Sequence, residues 1–350
     1  MSVKNYEIKL KVLSPVHIGS GETLNPLRYV VKGNKLYFLN EMQYIKKLLN
    51  DPNSRLNQVV ETNNIFIIAN YFNDCFDEDD TDTWLYSYGV SDSFQMTFNN
   101  NLSNPDNQNQ LLEFYRTDLF KTPVIPGSSL KGCFRTVLLS AMKKALSIST
   151  ITRQTRGAYV PDPHGTEAKI VNMKYSLSGK PDIKTDPFKY FKVSDIDVDA
   201  SSLTVKKIEN MTAKRTSSLY YFSEMIDKGE QVYTGSLSID SQFTKGLDSE
   251  LGLNINNFID FFIKSAKEYY RSVFENENVT LKSMGKTSSL KNIATQYARL
   301  NNTPNVAIFR LGKGQGCHSF SLEPKNLNPK SRNFADGESI GWVQIEFNER

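Results

Sequence analysis

Three glycine-rich corners constrain this chain more than any other feature. They are His17-Ile18-Gly19-Ser20-Gly21-Glu22, Gly127-Ser128-Ser129-Leu130-Lys131-Gly132 and Gly312-Lys313-Gly314-Gln315-Gly316. Each follows an extended stretch: YEIKLKVL stopped by Ser14-Pro15, the bracketed TPVIP, and VAIFRL. Glycine reaches backbone conformations closed to other residues and lets a ligand approach the main chain. A single glycine turn carries little information, because turns recruit glycine for steric reasons alone. The second corner runs into Leu130, Phe134, Val137, Leu138 and Ala141, the stripe of a core-facing helix from Ser129 to about Leu146. Helix starts leave backbone N–H groups unpaired, which suits an anion. Lys131 and Arg135, four apart, would put two cations on one face beside that corner. The plainer alternative makes Ser128 a cap and Gly132 a packing position. Neither nucleotide-binding fingerprint is present, and the Gly285-Lys286-Thr287 run has Thr280 where a P-loop needs glycine.

Around these corners the periodicity alternates between strand and helix. RYVVKGNKLYFL at 28–39 reads as a hairpin, followed by a short helix near Glu41 to Leu49. Residues 50–118 read as an insertion of helices and loops with an acidic run, DCFDEDDTD, that lacks a calcium-loop spacing. Residues 150–187, with four prolines and few apolar anchors, read as a projecting loop or ribbon. Strand-like runs follow at 188–198, 202–208, 218–226 and 231–239, then helices over about 255–274 and 289–300. Strands at 306–311 and 340–347 close the chain. This order gives an α+β fold, mostly antiparallel.

Charge narrows the function classes. The net charge of the 350 residues is only +4, but residues 121–215 hold 17 Lys/Arg against 8 Asp/Glu, while residues 1–120 hold 10 against 15. A basic block interleaved with Tyr159, Tyr175, Phe188, Tyr190 and Phe191 suits a polyanion with stackable bases. A solvated basic face is the bland alternative. Three distant cysteines form no CxxC pair, which points to reduced thiols in a cytoplasm and to no zinc site. No apolar run is long enough for a membrane helix, and the N-terminus lacks a signal-peptide core, so neither membrane nor export is expected.

Together the corners resemble the RAMP superfamily of CRISPR proteins. The resemblance rests on Pro15-Val16-His17-Ile18-Gly19-Ser20-Gly21, on Ile125 to Gly132, on Val193-Ser194-Asp195 and on Leu311 to Gly316. The branch it looks most like caps the 3′ end of the guide RNA in type III-A (Csm) effector complexes. It implies ferredoxin-like (RRM-like) modules, an N-terminal one over 1–240 with insertions at about 50–118 and 150–187, and a C-terminal portion over 241–350. It implies RNA contacts at His17, Gly19, Ser20, Gly21, Gly127, Ser128, Ser129, Lys131, Gly132, Arg135, Ser194, Lys313, Gly314 and Gly316, and no cofactor. The implied partners are guide RNA (crRNA), adjacent backbone RAMP and small subunits, nearby target RNA and, as a further candidate, host trimming nucleases.

Two alternatives stay open. Some RAMP relatives cut CRISPR repeats with a histidine base, and His17 is the one histidine in a matching corner. A RAMP subunit at another position is the other. The chain has no aspartate before Asp51, where target-cutting relatives place one soon after the first corner, so a non-catalytic role is expected.

Overall fold

The computed structural model describes residues 2–101, 111–117, 122–155, 157–176, 179–212, 216–300, 303–314, 319 and 331–350. The chain begins with β1 (Val3–Val12), whose alternation buries Tyr6, Ile8, Leu10 and Val12. β2 (Gly19–Thr23) is exposed throughout and carries the first corner. β3 (Tyr29–Lys32) and β4 (Lys35–Leu39) form the expected hairpin, with Gly33 at φ 57° in its turn. Next come α1 (Glu41–Asn50), α2 (Leu56–Glu61), α3 (Ile65–Cys75), β5 (Trp84–Val90) and α4 (Asp92–Asn101). β6 (Leu111–Phe114) and β7 (Val124–Ile125) lead to α5 (Gly127–Ala145), the helix of the second corner.

Beyond it lie the hairpin of β8 (Thr152–Thr155) and β9 (Ala158–Pro161), then α6 (Pro163–Ile170). β10 (Phe191–Val193), β11 (Ile196–Asp197), β12 (Leu203–Thr212), β13 (Thr216–Ile226) and β14 (Val232–Asp240) follow. α7 (Ser241–Leu251), α8 (Phe258–Ser283) and α9 (Lys291–Leu300) precede β15 (Val306–Arg310), β16 (Ser331–Ala335), β17 (Glu338–Ser339) and β18 (Trp342–Glu349).

The first sheet has the order β10-β14-β1-β18-β15, antiparallel throughout. The expected boundary at residue 240 runs through it, since β1 sits between β14 and β18. The second sheet runs β2-β6-β13-β12-β5-β4-β3, with β16 and β17 branching from β12. The α+β class with ferredoxin-like modules is therefore observed. α5 and α8 cross the first sheet, where Phe134 meets Phe191, Phe262, Phe309 and Phe347 at centroid distances of 5.2–6.3 Å. α8 runs nine residues past its expected end because Glu277 and Leu281 continue the buried stripe of Phe262, Tyr270 and Val273.

Two expectations need correction. Residues 50–118 do supply helices, but β5 and β6 are integral strands of the second sheet. Alternation in Trp84–Val90 is hidden by a run of aromatic and small residues on both faces. Residues 150–187 are not all ribbon. The hairpin β8/β9 pairs only with itself among the described residues and exposes Tyr159, but α6 buries Thr166, Ala168 and Ile170 against the body. The missed signal was Asp162-Pro163, where Asp162 Oδ1 accepts from the Gly165 N–H at 3.1 Å and proline takes the first helical turn.

Candidate nucleic-acid interface

The strand ends and helix starts just described bring the three corners to one place. His17, Gly19, Gly21, Ser128, Ser129, Gly132, Gly312 and Lys313 all line one cleft of about 450 Å³. The first and third corners are stitched together. The His17 carbonyl accepts from the Lys313 N–H at 2.8 Å, and the Gly341 N–H donates to Pro15 O at 2.8 Å. A Cβ on Gly312, at φ 89°, would lie 2.2 Å from the His17 carbonyl oxygen, so only glycine lets these strands close. A Cβ on Gly314, at φ 82°, would meet the end of the Ile340 side chain at 2.6 Å, a less rigid obstacle.

His17 is 4% exposed. Its Nδ1–H donates to the Glu224 carbonyl at 2.8 Å, which leaves Nε2 as the acceptor of the neutral ring. Burial pushes its pKa down to about 4; the hydrogen bond opposes this and the Lys313 charge adds to it. A Cβ on Gly19 would sit 2.7 Å from Nε2, so that glycine answers to the imidazole. Beneath lies a buried ion cluster. Arg116 grips both Glu224 oxygens, Nη1 at 2.6 Å and Nη2 at 2.7 Å, and the Phe114 N–H and Tyr88 hydroxyl add two donors. Burial raises the Glu224 carboxyl to about 8, with the Phe114 N–H and the Arg28 charge opposing the shift.

The depressed His17 pKa sets a pH dependence. The unfolded chain takes up a proton near pH 6.5 and the folded chain only near 4, so stability from neutral His17 is full above 6.5 and lost as pH falls toward 4. Urea unfolding at pH 7 and pH 4.5 is expected to show a loss of about 2 kcal/mol in the wild type that His17→Gln lacks. Equal losses in both proteins would contradict it.

The second corner differs from its sequence reading. The Gly127 N–H donates to Asp195 Oδ1 at 2.7 Å, and the Ser129 N–H bonds Pro126 O at 2.9 Å. The helix start is therefore held by a carboxylate 68 positions away, and Ser128 does not cap it. Gly127 is glycine because a Cβ would lie 2.2 Å from Val193 O. Ser194 also serves the framework: its Oγ accepts from the Ser236 N–H at 2.9 Å, and it does not line the cleft. Gly132 has open space where a side chain would be, because it forms the cleft wall.

Lys131 and Arg135 stand apart from the cleft. Both lie off the cleft-lining face of α5, which presents Ser128, Ser129, Gly132 and Thr136. Arg135 is held by Glu167 at 2.5 Å and Asp186 at 2.9 Å, over the Phe188 ring at 4.2 Å. Lys131 sits beside them, its pKa lowered by burial, with Asp186 opposing and Arg135 adding to the shift. Spacing four apart placed them on one face correctly; that face fastens residues 163–190 to the helix. Ser20 and Gly21 are exposed on β2, with Ser20 Oγ accepting from the Glu22 N–H at 3.1 Å. Among the described residues, Lys313 is the exposed cation that lines the cleft. Gly316 and His318 fall outside the described residues. Ile18, Glu22, Leu112 and Cys133 also line it, as do Arg310, Tyr270, Thr136 and Ser319, which were not singled out from sequence. One signal was available, an arginine ending the apolar run VAIF.

Among the described residues no group of His, Cys, Asp or Glu could hold a metal, and no helix is long and apolar enough to cross a membrane. Two helix-covered sheets whose glycine turns meet in one cleft define an α+β protein of the RRM-like class. The sequence matches the RAMP superfamily profile over residues 9–316, so the chain belongs to the RAMP superfamily. It is 26% identical over 155 residues to the CRISPR system Cms protein Csm5 of Streptococcus thermophilus, covering 40% of each chain. It is 30% identical over 175 residues to Csm5 of Enterococcus italicus, covering 43% of this chain and 48% of that one. The matched stretch thus spans less than half of either curated relative. In structure it is similar to a chain of a Csm-crRNA-target RNA ternary complex of a type III-A CRISPR-Cas system, with TM-score 0.71, 23% identity and coverage of 97% and 100%. It also resembles T. onnurineus Csm5, with TM-score 0.67, 22% identity and coverage of 96% and 99%.

Proposed function

We propose that this protein is a non-catalytic, RNA-binding structural subunit of a type III-A Csm effector complex. It holds the 3′ part of the guide RNA, caps the backbone filament and contacts neighbouring RAMP and small subunits. The observation that carries this reading is the convergence of three glycine corners, far apart in sequence, on one open cleft with Lys313 beside it. Similarity to Csm5 proteins and to a chain of a crRNA-bound Csm complex supports it. The repeat-cutting alternative is disfavoured by His17 itself. A base works best with a pKa near the working pH, and burial holds this one at about 4.

Affinity for single-stranded RNA is expected to fall with salt, the log–log slope changing by roughly 0.7 for each phosphate contact. Lys313→Glu should flatten that slope and weaken binding at least tenfold, whereas Lys131→Ala should leave both unchanged. Filter binding at several salt concentrations measures this. The reverse ranking of the two variants would move the RNA to the other face of α5. Salt-independent binding would end the proposal.

A further inference from the structure

Two polar groups on the cleft wall have atoms with no protein partner. Arg310 is 1% exposed and Ser319 is 3% exposed. The Arg310 guanidinium is fixed on most sides. Its Nε donates to Ile340 O at 3.0 Å, and its Nη2 reaches Glu277 Oε1 at 3.2 Å and Ser339 Oγ at 3.3 Å. The group lies over the Trp342 ring at 5.0 Å. The nearer grip on Glu277 belongs to Arg332, whose Nε is 2.6 Å from Oε2. Arg310 Nη1 is left buried with no acceptor, and Ser319 Oγ is buried with no donor or acceptor. Buried donors are normally satisfied, and one that is not calls for a cause, a bound water or ion among them. Both residues line the same cleft as Lys313 and Ser128.

Resting on the reading of the cleft as an RNA site, we propose that its inner wall is a subsite for a single phosphate oxyanion, bound by Arg310 Nη1 and Ser319 Oγ. A guanidinium N–H pairs with phosphate oxygen more strongly than with a neutral acceptor. Because Glu277, Ser339, Ile340 and Trp342 already hold this arginine, no side-chain freedom is lost on binding. That separates it from Lys313, whose exposed, flexible ammonium attracts a strand without choosing one phosphate. The phosphate belongs either to an RNA backbone or to a free phosphate compound.

The test scans the full-length protein with a single-stranded oligoribonucleotide carrying one methylphosphonate, which removes the charge of one phosphate, at each position in turn. One position is expected to lose at least tenfold in affinity beyond the rest. That excess should vanish in Ser319→Ala and in Arg310→Lys, with thermal melts checking that each variant is folded. If Arg310→Lys fails to fold, Ser319→Ala decides alone. A uniform penalty along a strand that still binds tightly would overturn the subsite while leaving RNA binding intact. If RNA does not bind at all, inorganic phosphate is titrated and followed by 31P line width. Broadening lost in Ser319→Ala would support a free-phosphate subsite, and its absence would overturn the inference, leaving only water at these groups.

Discussion

Gly312→Val is expected to lose about 3–5 kcal/mol of stability, enough to leave little folded protein at 37 °C. Two costs combine. At φ 89° a β-branched residue is strained, and its Cβ would fall 2.2 Å from the His17 carbonyl, which also accepts from the Lys313 N–H. Relief would require the first and third corners to part, and that opens the cleft floor. Gly337→Val supplies the comparison: it has φ 83° but nothing within 4 Å of its Cβ, so it should lose only the conformational part. Urea unfolding followed by circular dichroism measures both. Equal losses would show that the contact between corners contributes nothing.

Glu224→Ala should cost about 3–5 kcal/mol, because Arg116, with its side chain 3% exposed, would lose both of its contacts to the carboxylate and keep only the neutral Tyr86 hydroxyl and Phe114 carbonyl. Glu113 at 3.6 Å is too distant to replace them, and the Phe114 N–H and Tyr88 hydroxyl would lose their acceptor as well. The bond to His17 uses the Glu224 backbone carbonyl, so the imidazole should keep its place. The variant is therefore expected to unfold at lower urea while the folded fraction binds RNA at wild-type affinity. Unchanged stability would mean that the buried pair is replaceable at no cost.

Local signals in the sequence translated well. Glycines at forced backbone positions marked all three corners, and apolar spacing located α5 and the first part of α8. Strand order was not legible, since nothing in YEIKLKVL says that it lies between residues 232–240 and 342–349. The same limit applies to the surroundings of Lys131 and Arg135. Spacing fixes which residues share a helix face, but the neighbour across that face comes from elsewhere in the chain, here Glu167 and Asp186. Asp195 holding Gly127 and the pairing of Arg310 with Glu277 are likewise long-range, and no local pattern announces them.

The most direct measurement is photo-crosslinking of 4-thiouridine-substituted single-stranded RNA to the full-length protein, with the modified peptides read by mass spectrometry. Crosslinks are expected at the cleft, in residues 17–22, at Ser128, Ser129, Gly132 and Thr136, and in residues 310–313, and should be lost in Lys313→Glu. Crosslinks concentrated instead on the Lys131–Arg135 face and residues 163–190, with the cleft unmodified, would contradict the account.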